Sequence, residues 1–250
     1  LPVAQATQPI VAIHDSELTR SLESMPATGL TPTGLGTTTN QWWPTNWHYF
    51  VMPESVKETL RSDGTAFELA GDADIRAGRL LAANGQPRCP ILISLAAEAI
   101  SDDEIAALTN YVAAGGTLLV GSSAFTRNPD GTTRGDFALA SQMGLHMVNT
   151  NLQNWATDVT FTKAVDHALI AHIPAGTLTW QMPSAADEIP YGISPAHPLA
   201  GGHARWRVQA SDALVLAQGD GATPYLAVKP YGRGTFIYCA AMQPLIGHGG

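Results

Sequence analysis

Residues 91–144 read ILISLAAEAISDDEIAALTNYVAAGGTLLVGSSAFTRNPDGTTRGDFALASQMG, and the order of signals within this stretch decides the fold class. The apolar run Ile91-Leu92-Ile93-Ser94-Leu95 has the length of a buried strand. Ser101 stands three residues before Glu104, the capping-box spacing in which each side chain satisfies the other's backbone N–H. Ile105, Leu108 and Val112 then fall at i, i+3 and i+7, one apolar stripe along a helix. Gly115-Gly116 stop that helix, because glycine takes the left-handed C-terminal conformation at little steric cost. Thr117-Leu118-Leu119-Val120 is a second buried strand, and Gly121-Ser122-Ser123-Ala124 turns out of it. These signals predict a βαβ unit, and the turn after its second strand lies where open parallel sheets expose functional groups.

Working outward, Ile10 to His14 reads as a first strand, and Ser16 with Thr19 starts a short helix. Residues 25–45, rich in Thr, Gly, Pro and Asn, form a turn-laden loop. A helix follows over Met52–Arg61 with Pro53 in its first turn. Phe67–Ala70 is a strand and Asp72–Leu81 a helix or turn. Downstream of the βαβ unit the pattern predicts a helix over Asp136–Met143, then short strands and loops through Pro198. Trp206–Leu216 and Tyr225–Ala240 read as antiparallel strands joined by Gly219-Asp220-Gly221. Alternating βα units followed by strands argue a three-layer α/β domain with an antiparallel edge extension.

With 250 residues, 45% of them hydrophobic, the chain can bury a substantial core. Only 14% of residues are charged and the net charge is −8, with ten arginines to three lysines. A phosphate backbone requires clustered cations, so nucleic-acid binding is not expected. No apolar run approaches the roughly 20 residues that span a bilayer. Abundant Gly, Thr, Asn and Trp with little Lys suits a secreted or cell-envelope protein. The chain starts at Leu1 without methionine, so it is expected to be processed or part of something longer. Cys89 and Cys239 are either one disulfide or two buried thiols, since two cysteines carry little pattern. Neither has Cys/His metal-ligand spacing, and no metal or other cofactor is expected.

Three groups of residues have chemistry suited to a site. The first is Asn40-Gln41-Trp42-Trp43-Pro44-Thr45-Asn46-Trp47-His48, with three of the six tryptophans within six positions. Indole rings stack on the C–H faces of sugars while Trp42, Trp43, Trp47 and the neighbouring His48 and amides present polar edges, which suits a glycan. The opposing reading is that these rings pin a long loop to the core. The second group is Arg127-Asn128-Pro129-Asp130-Gly131-Thr132-Thr133-Arg134-Gly135-Asp136. Arg127 or Arg134 would grip a carboxylate, as on a uronic acid, and Asp130, Thr132 and Asp136 offer oxygens to Ca²⁺ without EF-hand spacing. The plainer reading is an Asp130-Gly131 turn with Asp136 capping the next helix. The third group is the eight histidines, which are scattered without HxxxH or HExxH spacing.

The run SDDEIAALTNYVAAGGTLLVGSSAFTRNPDGTTRGDFALASQMGL (101–145) resembles the class I glutamine amidotransferase-like superfamily. Within it the chain is most similar to the non-catalytic, trimerisation-type domains of β-galactosidases and other polysaccharide-processing proteins. Asp166-His167-Ala168-Leu169-Ile170-Ala171-His172-Ile173-Pro174 is similar to that superfamily's DHP loop, and Tyr231-Gly232-Arg233-Gly234 to its closing YGKG hairpin. The resemblance implies a three-layer flavodoxin-like, mostly parallel sheet and one domain over residues 1–250, the N-terminal part of a longer protein. Catalytic relatives carry cysteine on the turn where this chain has Ser122 and Ser123. A hydroxyl is a weaker nucleophile than a thiolate and needs a base in reach.

The leading expectation is therefore a non-catalytic module that binds polysaccharide or oligosaccharide, or positions a downstream catalytic domain of the same protein. One alternative is a cryptic hydrolase using Ser122 or Ser123 with His167 or His172 as base and Asp166 as its orienting carboxylate. The other is a homo-oligomerisation module, as the relatives imply.

Overall fold

The structure is a computed structural model that describes residues 9–24, 47–95, 97–121, 124–155, 158–181, 203–219 and 222–240. Within these it describes the backbone alone for 23–24, 47–52, 55, 149–155, 158–160, 178–181 and 203–207. The chain runs β1 (Val11–Asp15), α1 (Glu17–Ser24), α2 (Trp47–Ser62), β2 (Phe67–Gly71), α3 (Asp72–Arg76), β3 (Ile91–Ser94), α4 (Asp102–Ala113) and β4 (Thr117–Gly121). It continues through α5 (Ala140–Met143), β5 (Leu145–Trp155), β6 (Asp158–Lys163), β7 (Thr177–Gln181), β8 (His203–Ala210), β9 (Leu214–Gln218), β10 (Pro224–Tyr231) and β11 (Gly234–Cys239).

Nine strands form one mixed sheet in the order β2-β1-β3-β4-β11-β10-β9-β6-β7. The first five are mutually parallel, and the remaining pairings are antiparallel. β5 and β8 pair separately as an antiparallel ribbon. The predicted βαβ unit is present as β3-α4-β4, with Ile91 opposite Thr117 and Ser94 opposite Val120.

Side chains alternate across a strand, so each parallel strand feeds two clusters. Ala12, Ala70, Leu92, Leu118, Val120 and Phe236 pack against Ile75 of α3 and Leu108, Tyr111 and Val112 of α4. Val11 and Ile13 point the other way and meet Val56 and Leu60 of α2. A third cluster, Ile170, Leu216 and Val228, supports the antiparallel strands.

The glycines of the hairpin turn sit where two backbones nearly touch. Gly232, at φ 57°, faces Ala113 at the end of α4, and Arg233 N–H donates to Ala113 C=O at 3.1 Å. The Thr235 N–H donates to Gly116 C=O at 3.2 Å, so the YGRG turn is docked on the α4 terminus. This explains the glycines at 232 and 234: a Cβ would lie 2.7 Å from Ala113 Cα at the first and 2.1 Å from the Gly116 carbonyl oxygen at the second.

Four local expectations are corrected. Pro53 lies inside α2, which begins at Trp47, rather than in the first turn. The helix expected over Asp136–Met143 is only the single turn α5, because Asp136 spends its carboxylate elsewhere. Its Oδ1 accepts from the Phe137 and Met147 N–H groups, each at 2.8 Å, and its Oδ2 meets His146 Nδ1 at 2.6 Å. The segment after Leu145, read as short strands and loops, opens with the eleven-residue strand β5. The run Trp206–Leu216, read as one strand, breaks at 211–213 into β8 and β9, which belong to different sheets.

Cys89 and Cys239 are both buried thiols, not a disulfide. Burial, with the neighbouring Glu68 charge, pushes the Cys89 thiol up to about 11. The thiolate is the reactive form, so Cys89 is expected to resist iodoacetamide in the folded protein at pH 8. Mass spectrometry after alkylation with and without denaturant checks this; rapid native labelling of Cys89 would contradict it.

Candidate functional site

Three parallel strands end in a polar residue at their carboxyl termini, where open α/β sheets place functional groups. β1 ends in His14-Asp15, β2 leads directly into Asp72 at the start of α3, and β3 ends in Ser94. Ile13 lies opposite Ile93 and His14 opposite Ala70, a register that sets His14 between its two neighbours. His14 Nδ1 lies 2.8 Å from Ser94 Oγ, and His14 Nε2 lies 2.9 Å from Asp72 Oδ1. Asp72 Oδ2 accepts from Leu18 N–H at 2.7 Å and from the Ser16 hydroxyl at 3.4 Å. Ser16 also accepts from Thr19 N–H at 3.1 Å, capping α1 as its sequence predicts. The Thr19 hydroxyl oxygen accepts from Ala99 N–H at 3.0 Å, tying the network to the segment after β3.

Glu104 brings a second carboxyl to the same place from α4. The predicted capping box is present: Ser101 N–H donates to Glu104 Oε2 at 2.8 Å, and Glu104 N–H donates to Ser101 Oγ at 3.4 Å. The Ser101 hydroxyl donates to the same Oε2. Arg76 lies 3.8 Å from Oε2, whereas the buried Oε1 has no hydrogen-bond partner among the described residues. His14, Asp72 and Glu104 each present one ligand atom, all within 4.8 Å of one another.

Burial pushes the Glu104 carboxyl above the ordinary glutamate range, against the pull of Ser101, and the Asp72 charge pushes the same way. For Asp72 burial also pushes upward, but the His14 hydrogen bond and charge, with the Leu18 N–H, hold it below the usual aspartate range.

Ser94, His14 and Asp72 have the composition of a catalytic triad but not its geometry or its access. In hydrolytic triads the ring presents Nε2 to the serine and Nδ1 to the carboxylate, whereas here the ring is reversed. Ser94 is 0% exposed, His14 3% and Asp72 1%, so no substrate carbonyl reaches the hydroxyl. Phe125, in the left-handed region at φ 63°, sets its ring 6.3 Å from that of His14. The arrangement does the work of a buried polar pin joining β1, β3 and α3.

Of the residues predicted from sequence, Arg127, Asp130 and Arg134 come together in one loop whose charges are taken up within it and by Glu98, Ile100 and Asp102. Arg127 Nε donates to Glu98 at 3.1 Å and its NH1 to Gly131 C=O at 2.8 Å. Arg134 donates to the Arg127 and Ile100 carbonyls at 3.3 and 3.0 Å and to Asp102 at 3.3 Å. Asp130 accepts from Thr132 N–H and hydroxyl at 2.9 and 2.6 Å, the turn that its Asp-Gly sequence predicts. Asp166 pairs with Lys163 at 2.7 Å, and His167 Nδ1 accepts from Leu169 N–H at 3.2 Å, so both serve their own turn. Trp42, Trp43, Ser122 and Ser123 lie outside the described residues, and Trp47 and His48 are described only as the backbone that opens α2. The sequence reading missed the cluster of His14, Asp72, Ser94 and Glu104. Its available signal was one polar residue at the end of each of three successive apolar strands.

No known family model matches the chain, and no curated protein matches it. Solved structures do. A β-galactosidase from Bacillus circulans sp. alkalophilus superposes with a TM-score of 0.61 at 14% identity, over 96% of this chain and 30% of that one. The cold-adapted β-galactosidase from Rahnella sp. R3 gives 0.62 at 14% identity, over 95% of this chain and 30% of that one. An exo-β-1,4-mannosidase from Opitutaceae bacterium strain TAV5 gives 0.50 at 14% identity, over 95% of this chain and 32% of that one. The chain thus spans about 30% of the length of the β-galactosidases it matches, and it shares its fold with a domain-sized part of those larger glycoside hydrolases.

Proposed function

We propose that this chain is a non-catalytic module of a secreted or cell-envelope glycoside hydrolase-like protein, binding glycan or positioning a neighbouring catalytic domain. The observation that carries the non-catalytic part is the sealing of His14, Asp72 and Ser94 at the carboxyl ends of the strands, where a working enzyme would be open. Placement within a glycoside hydrolase rests on the match of nearly the whole chain to about 30% of β-galactosidase chains. A three-layer, flavodoxin-like domain of the amidotransferase-like type is supported by the parallel order β2-β1-β3-β4-β11 and by clusters on both sheet faces. The glycan contacts proposed are Trp42, Trp43 and Trp47, whose chemistry suits sugar faces. The arginines 127 and 134 are too committed within their loop to lead recognition.

Calorimetric titration against neutral, acidic and amino-sugar polysaccharides tests this, with Trp42→Ala and Trp47→Ala as controls. Saturable binding lost in folded variants supports glycan recognition; no binding to any of them removes it. A second reading, homo-oligomerisation, is favoured by Leu69, 47% exposed on the edge strand β2, and by Ile10, 51% exposed, just before β1. A mass that rises with concentration in sedimentation would support that reading.

A further inference from the structure

We infer that His14, Asp72 and Glu104 bind one divalent first-row transition cation, a structural metal beneath the carboxyl ends of β1 and β2. Their ligand atoms lie within 4.8 Å of one another, and His14 Nε2 and Asp72 Oδ1, 2.9 Å apart, have the separation of adjacent ligands on one ion. Metal–ligand bonds of about 2.0–2.2 Å need only small side-chain shifts to close around that point.

The independent observation is Glu104 Oε1. The residue is 0% exposed, its other oxygen is occupied by Ser101, and Oε1 receives no N–H or hydroxyl donor among the described residues; without an ion, its relief is a proton shared with the Asp72 carboxyl. A buried carboxylate oxygen left in that state is strongly unfavourable, and a bound ion is a standard reason for one. The Arg76 guanidinium lies against the opposite oxygen, Oε2, at 3.8 Å. Two carboxylates with one imidazole therefore offer a pocket whose charge a dication balances.

Ser94 completes the arrangement from outside. A ligating histidine characteristically donates its second N–H to a fixed acceptor, and Ser94 Oγ lies 2.8 Å from His14 Nδ1. The ring is thereby oriented with Nε2 towards the carboxylates. One imidazole and two carboxylates suit Zn²⁺, Mn²⁺ or Fe²⁺ better than Ca²⁺ or Mg²⁺, which take oxygen alone. Because the site is sealed, the ion is expected to load during folding and to hold β1, α3 and α4 together rather than to meet substrate.

The test unfolds the full chain with chelator and refolds it with Zn²⁺, Mn²⁺ or Co²⁺ present in excess, followed by desalting. One retained ion per chain and a Tm rise of roughly 5–10 °C are expected. Glu104→Gln keeps an oxygen for the Ser101 cap, and should lose both the ion and the metal-dependent Tm rise. If that variant fails to fold, the Co²⁺ spectrum of the wild-type chain still decides: intense visible bands of a low-coordinate nitrogen and oxygen site support the inference, and a weak aqua-like spectrum overturns it. Substoichiometric metal, or an unchanged Tm rise in Glu104→Gln, also overturns it. In the first of those cases a proton shared between Asp72 and Glu104 replaces the ion.

Discussion

His14→Ala is expected to lower the stability of this chain by about 3 kcal/mol, the low end of what leaving a buried carboxylate oxygen without its hydrogen-bond partner costs. The ring supplies the partner of Asp72 Oδ1, and Asp72 is 1% exposed, so water does not replace the lost donor. The Leu18 N–H and Ser16 hydroxyl remain on Oδ2, which is why the loss stays near the lower limit. For a chain of this length the change corresponds to a Tm decrease of roughly 6–12 °C. Ser94→Ala removes one hydrogen bond at the other ring nitrogen and is expected to cost only about 1 kcal/mol. Thermal unfolding of the two variants at neutral pH checks the ordering. Equal, small losses would mean that the network does not pin the strands.

A larger effect is expected from Gly234→Ala. A Cβ at this position would lie 2.1 Å from the Gly116 carbonyl oxygen and 2.3 Å from that of Val112. Both are backbone atoms, one at the close of α4 and one at the entry to β4, so no side chain can swing aside. Relief requires moving β11 away from β4, and these strands are paired from Thr117–Thr235 to Gly121–Cys239. Ordinary overpacking costs about 1–3 kcal/mol, and a backbone collision at a central strand pair should exceed that. The expected outcome is a chain that unfolds at much lower urea concentration or fails to accumulate as a soluble protein. Gly85→Ala is the contrast, since its Cβ would meet nothing within 4 Å, leaving only the strain of its φ of 75°. A Gly234→Ala protein as stable as the wild type would contradict the docking of the hairpin on α4.

The βαβ unit was legible in sequence because its determinants are local. Ser101 and Glu104 cap one turn of helix, and Gly115-Gly116 end it, whatever the rest of the chain does. The helix expected at Asp136 failed for the opposite reason: its capping carboxylate had a better offer from Met147 and His146 across a turn. Likewise, nothing local in Trp206–Leu216 reveals that β8 pairs with β5 while β9 joins the main sheet. The polar cluster was the hardest to see. His14 meets Ser94 across 80 residues of sequence and Asp72 across 58, so no spacing motif encodes it. Glu104 was legible as half of a capping box, and its second oxygen acquires meaning only when α4 is laid against β1 and α3.

The most direct test is exposure of the folded chain to a fluorophosphonate probe, with adducts located by mass spectrometry. A non-catalytic domain with Ser94 sealed at 0% exposure predicts no adduct at Ser94, Ser122 or Ser123 in the native protein. A stoichiometric adduct on any of the three, lost when the protein is unfolded beforehand, would show an activated serine and contradict the proposed function.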